Sequence, residues 1–244
     1  MRSRKAELPR HPAWLTRQPF AHRGLHGAGR IENSRAAFGA AIEAEHGIEL
    51  DVQAGRCGTP FVFHDERLER LCEGCGRVDR LDRQQLSAVR LRGSSETISS
   101  LDEILALVAG RAPLLVELKS GKRMNARLCR TVRAAIAGYQ GPLAVMSFDP
   151  RLIHWFARHA PWVVRGLVIS EQGSRNFMGL PRRRLAIMIA RPDFLAYDIR
   201  SLPSPFAARM RARHVPVLTW TVRDAADRAK AAIHADQIIY ERSA

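Results

Sequence analysis

Acidic and basic side chains stand inside otherwise apolar runs at several places in this chain, an arrangement that costs free energy unless something compensates it. Glu49 and Asp51 lie in Gly47-Ile-Glu-Leu-Asp-Val52, and Glu117 ends Leu114-Leu-Val-Glu117 just before Leu118-Lys119. On an extended strand, residues two apart project from the same face, so Glu49 and Asp51 share one. Three converging carboxylates make an all-oxygen pocket suited to a hard divalent cation, Mg²⁺ or Ca²⁺. The plainer alternative is ordinary ion pairing with nearby Arg and Lys. Acidic groups at interior strand positions favour the cation.

Two histidines sit beside charged neighbours at the ends of apolar runs: His22 in Phe20-Ala-His-Arg-Gly24 and His64 before Asp65, after Phe61-Val-Phe63. Imidazole titrates near neutrality, so both are candidates for proton transfer. Arg23 and Lys119 suit a phosphate, Arg through its planar fork and Lys as a point charge. His26 has a case as a loop residue near the same site. His154 and His159 lie on an expected helix near Trp155, where packing or a solvated face is enough. His11, His46, His214 and His234 have no partner pattern.

Other chemistries find no support. The glycines of Gly24-Leu-His-Gly27-Ala-Gly29 are not at Walker or Rossmann spacing. Ser147 lacks the Gly-x-Ser-x-Gly elbow of serine hydrolases. Cys72-Glu-Gly-Cys75 is half of a zinc-site spacing with no second half in view. The Arg-rich Pro181-Arg-Arg-Arg184 reads as a solvated helix start.

These side chains need elements to position them. Strands are expected at Gln18–His22, Gly47–Val52, Pro113–Leu118, Leu143–Ser147, Val164–Ile169, Phe194–Asp198, Val215–Trp220 and Gln237–Tyr240. Helices fall between them at Ser34–Glu45, Leu101–Val108, Met124–Ala137, Pro150–Ala160, Leu180–Ile189, Pro203–Ala212 and Ala225–His234, with Ser100 and Glu103 in capping-box positions. Strand–helix alternation on this scale predicts a closed α/β (β/α)8 TIM barrel, whose length is typically about 250 residues and whose chemistry sits at the carboxyl ends of the strands. The 244 residues fit. Residues 1–16 read as an N-terminal extension and 17–244 as the barrel domain. The stretch from about 54 to 100 reads as an insertion after the second strand, with a short strand at Phe61–Phe63, a helix-like segment around Asp82–Arg90, and too polar a composition for a core of its own.

Composition narrows the partners. Hydrophobic residues make up 46% and charged ones 26%, ordinary globular usage that argues against disorder. Lys plus Arg number 39 against 24 Asp plus Glu, a net charge of +15 that favours anionic partners without choosing among phosphate esters, nucleic acid and acidic membranes. Four cysteines argue against a disulfide scaffold. No signal-peptide pattern opens the sequence and no run of about 18 apolar residues appears, so a cytoplasmic protein without a membrane span is expected, with peripheral membrane contact left open.

The ordered set Ala21-His-Arg-Gly24, Glu32-Asn33-Ser34, Ile48-Glu-Leu-Asp-Val52, His64-Asp65 and Glu117-Leu-Lys119 resembles the glycerophosphodiester phosphodiesterase family. Ser147-Phe148 and Thr219-Trp220-Thr-Val222 resemble its later strand ends, so the likeness runs from about Phe20 to Tyr240. It implies a phospholipase-C-like barrel with an insertion after the second strand. It implies one divalent cation on Glu49, Asp51 and Glu117, His22 and His64 as the acid/base pair, and Arg23 and Lys119 near the phosphate. It also implies Glu32 and Asn33 shaping the metal shell and Trp220 lining the substrate pocket. The chain departs from the family pattern at Ile31, where Pro is usual, in the Gly55–Gly58 turn, and at Tyr240-Glu-Arg-Ser243, where the family carries Thr-Asp-x-Pro. The reaction so implied is metal-dependent hydrolysis of a small-molecule glycerophosphodiester to glycerol 3-phosphate and an alcohol. Two rivals are a related phospholipase-type enzyme acting on phosphoinositides or sphingolipids, and a non-catalytic barrel binding nucleic acid through its basic surface.

Overall fold

The computed structural model describes residues 12–56, 58–120, 125–172 and 179–242. Cys57, Met124, Ser243 and residues 1–11, which several expectations touch, lie outside the described residues. The elements run α1 Trp14–Arg17, β1 Phe20–Ala21, α2 Arg35–Glu43, β2 Gly47–Ala54, β3 Pro60–Val62, α3 Arg83–Ser87, α4 Leu101–Val108, β4 Leu114–Leu118 and α5 Ala126–Ile136. They continue with β5 Leu143–Ser147, α6 Pro150–His159, β6 Val164–Ile169, α7 Gly179–Ala190, β7 Phe194–Asp198, α8 Pro205–Arg211, β8 Val217–Val222, α9 Ala225–His234 and β9 Gln237–Tyr240.

Among the described residues, eight parallel strands pair in the order β1-β9-β8-β7-β6-β5-β4-β2, and β1 pairs again with β2, which closes the sheet. The antiparallel β3 hangs on the outer end of β2 through Val52, Gln53 and Ala54. This is the expected (β/α)8 barrel. A closed parallel sheet has no free edge, and every strand is covered inside and out.

The strand period of two separates the two cores. Ile48, Leu50 and Val52 of β2, Leu114, Val116 and Leu118 of β4, and Leu195 and Tyr197 of β7 face outward into the layer packed by the helices. Phe20, Leu115, Ala144, Met146, Val168, Phe194, Ala196, Leu218 and Ile239 fill the barrel interior. The short α1, not expected from the sequence, adds Leu15 to that interior, with Trp14 packed against it. Ser100 and Glu103 form the expected capping box on α4. The helix expected from Pro203 begins at Pro205, because Ser204 caps it with its hydroxyl.

One expectation is corrected here. The insertion carries a small apolar cluster of its own: Phe61, Phe63, Leu68, Cys72, Val78, Leu86, Leu91 and Ile98 are all buried together. Its apolar residues are spaced irregularly, between turns, and converge only in three dimensions. The cluster docks on the barrel through Glu96, whose carboxylate accepts from the Arg35 and Ala36 backbone N–H groups at the start of α2, an anion at a helix N-terminus. Among the described residues no helix is long and apolar enough to cross a membrane.

Close packing inside the barrel depends on two glycines. A Cβ at Gly47 would meet the Phe20 ring at 2.4 Å, and one at Gly166 would meet the Phe194 ring at 2.3 Å. Gly47→Ala or Gly166→Ala is expected to destabilise by about 1–3 kcal/mol through overpacking, lowering Tm by about 2–4 °C per kcal/mol in a chain of this size. Gly39→Ala in α2, where a Cβ meets nothing within 4 Å, is expected to raise stability by about 0.5–1 kcal/mol. Thermal unfolding of the three variants checks the contrast in sign.

Candidate active site

Toward the carboxyl ends of β9, β1, β2 and β4, four neighbours in the sheet, the interior changes from apolar to charged. Glu49 and Asp51 alternate into the interior from β2, and Glu117 does so from β4, opposite Asp51 in the register. All three are buried, and a carboxylate oxygen from each lies within 4.8 Å of the others.

Cations and amides hold this cluster. Lys119, just past β4, places Nζ 2.7 Å from Asp51 Oδ1 and 2.5 Å from Glu117 Oε1. Arg23 Nε is 3.3 Å from Asp51 Oδ2, and the Arg23 backbone N–H donates to Glu49 Oε2 at 3.0 Å. Asn33 donates through Nδ2 to Asp51 Oδ2 at 3.0 Å and accepts from the Asp51 backbone N–H. The loop after β1 reaches back this way because Arg23, Gly24 and Asn33 all take positive φ. At Gly24 a Cβ would also meet Ala37 and Phe38 at 2.9 Å, so both the conformation and the contact require glycine.

The electrostatic consequences differ across the trio. Burial, and then the charges of Asp51 and Glu117, hold the Glu49 carboxyl well above the usual carboxylate range. Glu117 is raised as well, chiefly by burial. For Asp51, burial also disfavours the charge, but Lys119 and Arg23 outweigh it and pull the group below its ordinary value. Glu49 Oε1 is buried without a hydrogen-bond partner. An unpaired oxygen, an all-carboxylate donor set and a strongly raised Glu49 are what a missing positive charge produces, so the residues present fit a hard divalent cation.

The two histidines reach the site from different elements. His22 follows β1 and is buried, with Nε2 3.8 Å from Glu49 Oε2 and Nδ1 2.6 Å from Glu241 Oε1. Burial lowers its pKa, against the opposing effect of Glu241. His64 comes from the insertion just past β3, with Nδ1 2.6 Å from Asp65 Oδ1. Gln53 on β2 fixes that segment, donating to the His64 carbonyl at 2.7 Å and to those of Phe63 and Asp65. Arg70 ties Asp65 to Glu32, and Glu32 in turn accepts from Arg23 at 2.8 Å. A continuous chain of charged contacts thus runs from His64 through Asp65, Arg70, Glu32 and Arg23 to Asp51. His64 and Lys119 line one cavity of about 420 Å³ with Gln53, Asp65 and Arg77.

The structure therefore brings His22, Arg23, Glu32, Asn33, Glu49, Asp51, His64, Glu117 and Lys119 into one network. Glu32 sits one step from the carboxylates, held by two arginines. Trp220 stands across the barrel on β8, its indole N–H donating to the Ala196 carbonyl and its ring edge-on to Phe148 at 5.5 Å. Sequence reasoning missed Glu241 and Arg70. Glu241 follows the same strand-end rule that singled out His22, directly after β9. Arg70 carries no local signal, because the insertion's fold alone brings it to Glu32.

Three other expectations resolve. Among the described residues the one group of three or more potential ligands that converges is Glu49, Asp51 and Glu117; Cys72 is buried and Cys75 exposed, so the zinc half-site gains no partner. His159 stacks on Trp155, and His154 and His159 each bond a backbone carbonyl, in keeping with packing roles. The Arg-rich start of α7 is not uniformly solvated: Arg183 is largely buried, Nη2 3.6 Å from Glu171 and its guanidinium over the Phe206 ring. Arg182 and Arg184 are exposed.

Fold and site together define a class, the (β/α)8 proteins with a cluster of buried carboxylates at the barrel mouth. The sequence profile of the Glycerophosphoryl diester phosphodiesterase family matches residues 22–243, and the chain belongs to that family of phosphoric diester hydrolases. A glycerophosphodiester phosphodiesterase of Bacillus altitudinis is 34% identical over 111 residues, 41% of this chain and 43% of that protein. A phosphodiesterase of Oleispira antarctica, solved in complex with the product sn-glycerol-3-phosphate, has the same fold at 20% identity, with a TM-score of 0.82 over 93% of each chain. A glycerophosphodiester phosphodiesterase of Thermotoga maritima matches at 23% identity, with a TM-score of 0.73 over 91% of this chain and 92% of that one.

Cation binding to the trio is expected to raise Tm. At a concentration about 100 times Kd it contributes about 2.7 kcal/mol, or roughly 5–11 °C here. Thermal unfolding with EDTA, Mg²⁺ or Ca²⁺ reads this directly. Glu49→Gln and Asp51→Asn should abolish the increment, and an equal increment in those variants would place the ion elsewhere.

Proposed function

We propose that the protein hydrolyses glycerophosphodiesters to glycerol 3-phosphate and an alcohol, with Mg²⁺ or Ca²⁺ at Glu49, Asp51 and Glu117. The observation that carries this reading is the convergence of those three buried carboxylates with His22 and Lys119 at the carboxyl mouth of a barrel of this family. The product bound in the Oleispira antarctica phosphodiesterase supports the substrate class.

When bound, the cation supplies Lewis acidity toward a phosphoryl oxygen and a template for a glycerol hydroxyl. The chain's own residues do the rest. One histidine takes the proton of the attacking hydroxyl as its oxygen bonds to phosphorus. The other gives a proton to the leaving alcohol as the old P–O bond breaks. Attack by water gives glycerol 3-phosphate directly. Attack by the glycerol 2-hydroxyl moves the same two protons but leaves a cyclic phosphate, which water then opens, giving its proton to one histidine as the released 2-oxygen takes one from the other. Lys119 has three N–H donors; one bonds Glu117 and the charge rests against Asp51, so the ammonium retains donor capacity for a phosphoryl oxygen. The Arg23 guanidinium adds positive charge on the same side. Trp220 and Phe148 form the apolar wall toward which the alcohol extends. A small soluble diester and a cytoplasmic location complete the reading.

Release of glycerol 3-phosphate from glycerophosphocholine or glycerophosphoethanolamine should stop with EDTA and return with one of the two ions. His22→Ala and His64→Ala should each retain the fold and lower turnover by about 10²–10⁴. Unchanged turnover in either variant would remove that histidine from the reaction.

A further inference from the structure

The hydrogen bond that closes the barrel's seam at β9 and β1 has a consequence for His22. Tyr240 pairs with Ala21 in the parallel register, so the next residues, Glu241 and His22, leave adjacent strands side by side. Glu241 Oε1 is 2.6 Å from His22 Nδ1, and its other oxygen accepts from Arg223 Nε at 2.8 Å. The His22 backbone N–H is itself bonded to the Tyr240 carbonyl at 2.9 Å, which fixes the ring's origin. A carboxylate accepts and cannot donate, so the nitrogen facing it must carry a proton. In the neutral ring the other nitrogen is then the bare one.

From this geometry we infer that Glu241 is a positioning residue: clamped by Arg223, it holds a proton on His22 Nδ1 and turns the lone pair of Nε2 toward the carboxylate cluster. Nε2 is the ring nitrogen 3.8 Å from Glu49 Oε2, so it faces the place where the proposed reaction occurs. Whichever way a proton moves in that reaction, Nε2 moves it, while the charge left on the imidazole rests against Glu241. The inference builds on the proposed role of His22 but concerns the ring's tautomer, which can be read without any turnover.

The test has two arms. In protein labelled with ¹⁵N-histidine, at a pH well above the histidine range, the His22 signal (identified by its loss in His22→Gln) should show a protonated Nδ1 and a bare Nε2. Glu241→Ala should move the proton toward Nε2, whereas Glu241→Gln, whose side-chain oxygen still accepts, should keep it on Nδ1. In the kinetic arm, Glu241→Ala should lower kcat by about 10- to 10³-fold, no more than removal of His22 costs, with KM within about threefold. Glu241→Gln should recover most of that loss. A bare Nδ1 in the parent protein, or a Glu241→Ala variant with unaltered tautomer and kcat, would overturn the inference. If the parent protein hydrolyses no diester, the proposed function fails while the tautomer arm still decides the role of Glu241.

Discussion

Three carboxylates buried within a few ångströms of one another set the terms for the rest of this site. Burial pushes all three toward the neutral form, and for Glu49 and Glu117 the repulsion of the neighbouring carboxylates adds to it. The chain answers with Lys119 and Arg23, which hold Asp51 ionised but leave Glu49 raised and one of its oxygens without a partner. The compensation is thus incomplete at Glu49. A divalent cation held by the trio would complete it. Removing one partner from a buried ionic cluster is costly, so the cations and Asn33 serve the fold as well as the chemistry.

The barrel divides along this line. The neighbouring strands β9, β1, β2 and β4 deliver the charged groups, while β5 to β8 keep an apolar interior of Met146, Val168, Ala196 and Leu218, ending in Trp220. The insertion is part of the site. It supplies His64 and Asp65, and through Arg70 it binds Glu32 and so Arg23. Its own apolar cluster and its dock on α2 hold these groups in place.

Much of this was legible from the sequence, for identifiable reasons. Strand period two put Glu49 and Asp51 on one face and made their burial a problem that needed an answer. The alternation of strands and helices gave the barrel, and Ser100 with Glu103 gave the start of α4. What escaped depended on contacts distant in sequence. Glu241 stands at a strand end, as His22 does, but its contact with His22 spans 219 positions, and nothing in the sequence pairs the two. Arg70 reaches Glu32 only after the insertion folds, and that insertion hid its core because Phe61, Leu68, Val78, Leu86 and Ile98 follow no helical or strand period. Arg183 read as solvated because its neighbours Arg182 and Arg184 are, and one helical step turned it inward.

The central claim is that a cation at the carboxylate trio and the surrounding charged groups form one phosphate-processing centre. The most direct measurement is a crystal structure with Ca²⁺ and glycerol 3-phosphate present. The account predicts the ion bound by Glu49, Asp51 and Glu117, with the phosphate against it and within reach of His22, His64, Arg23 and Lys119. An ion bound away from the trio, or a phosphate held elsewhere on the basic surface while the trio stays ion-paired to Lys119 and Arg23 alone, would contradict it.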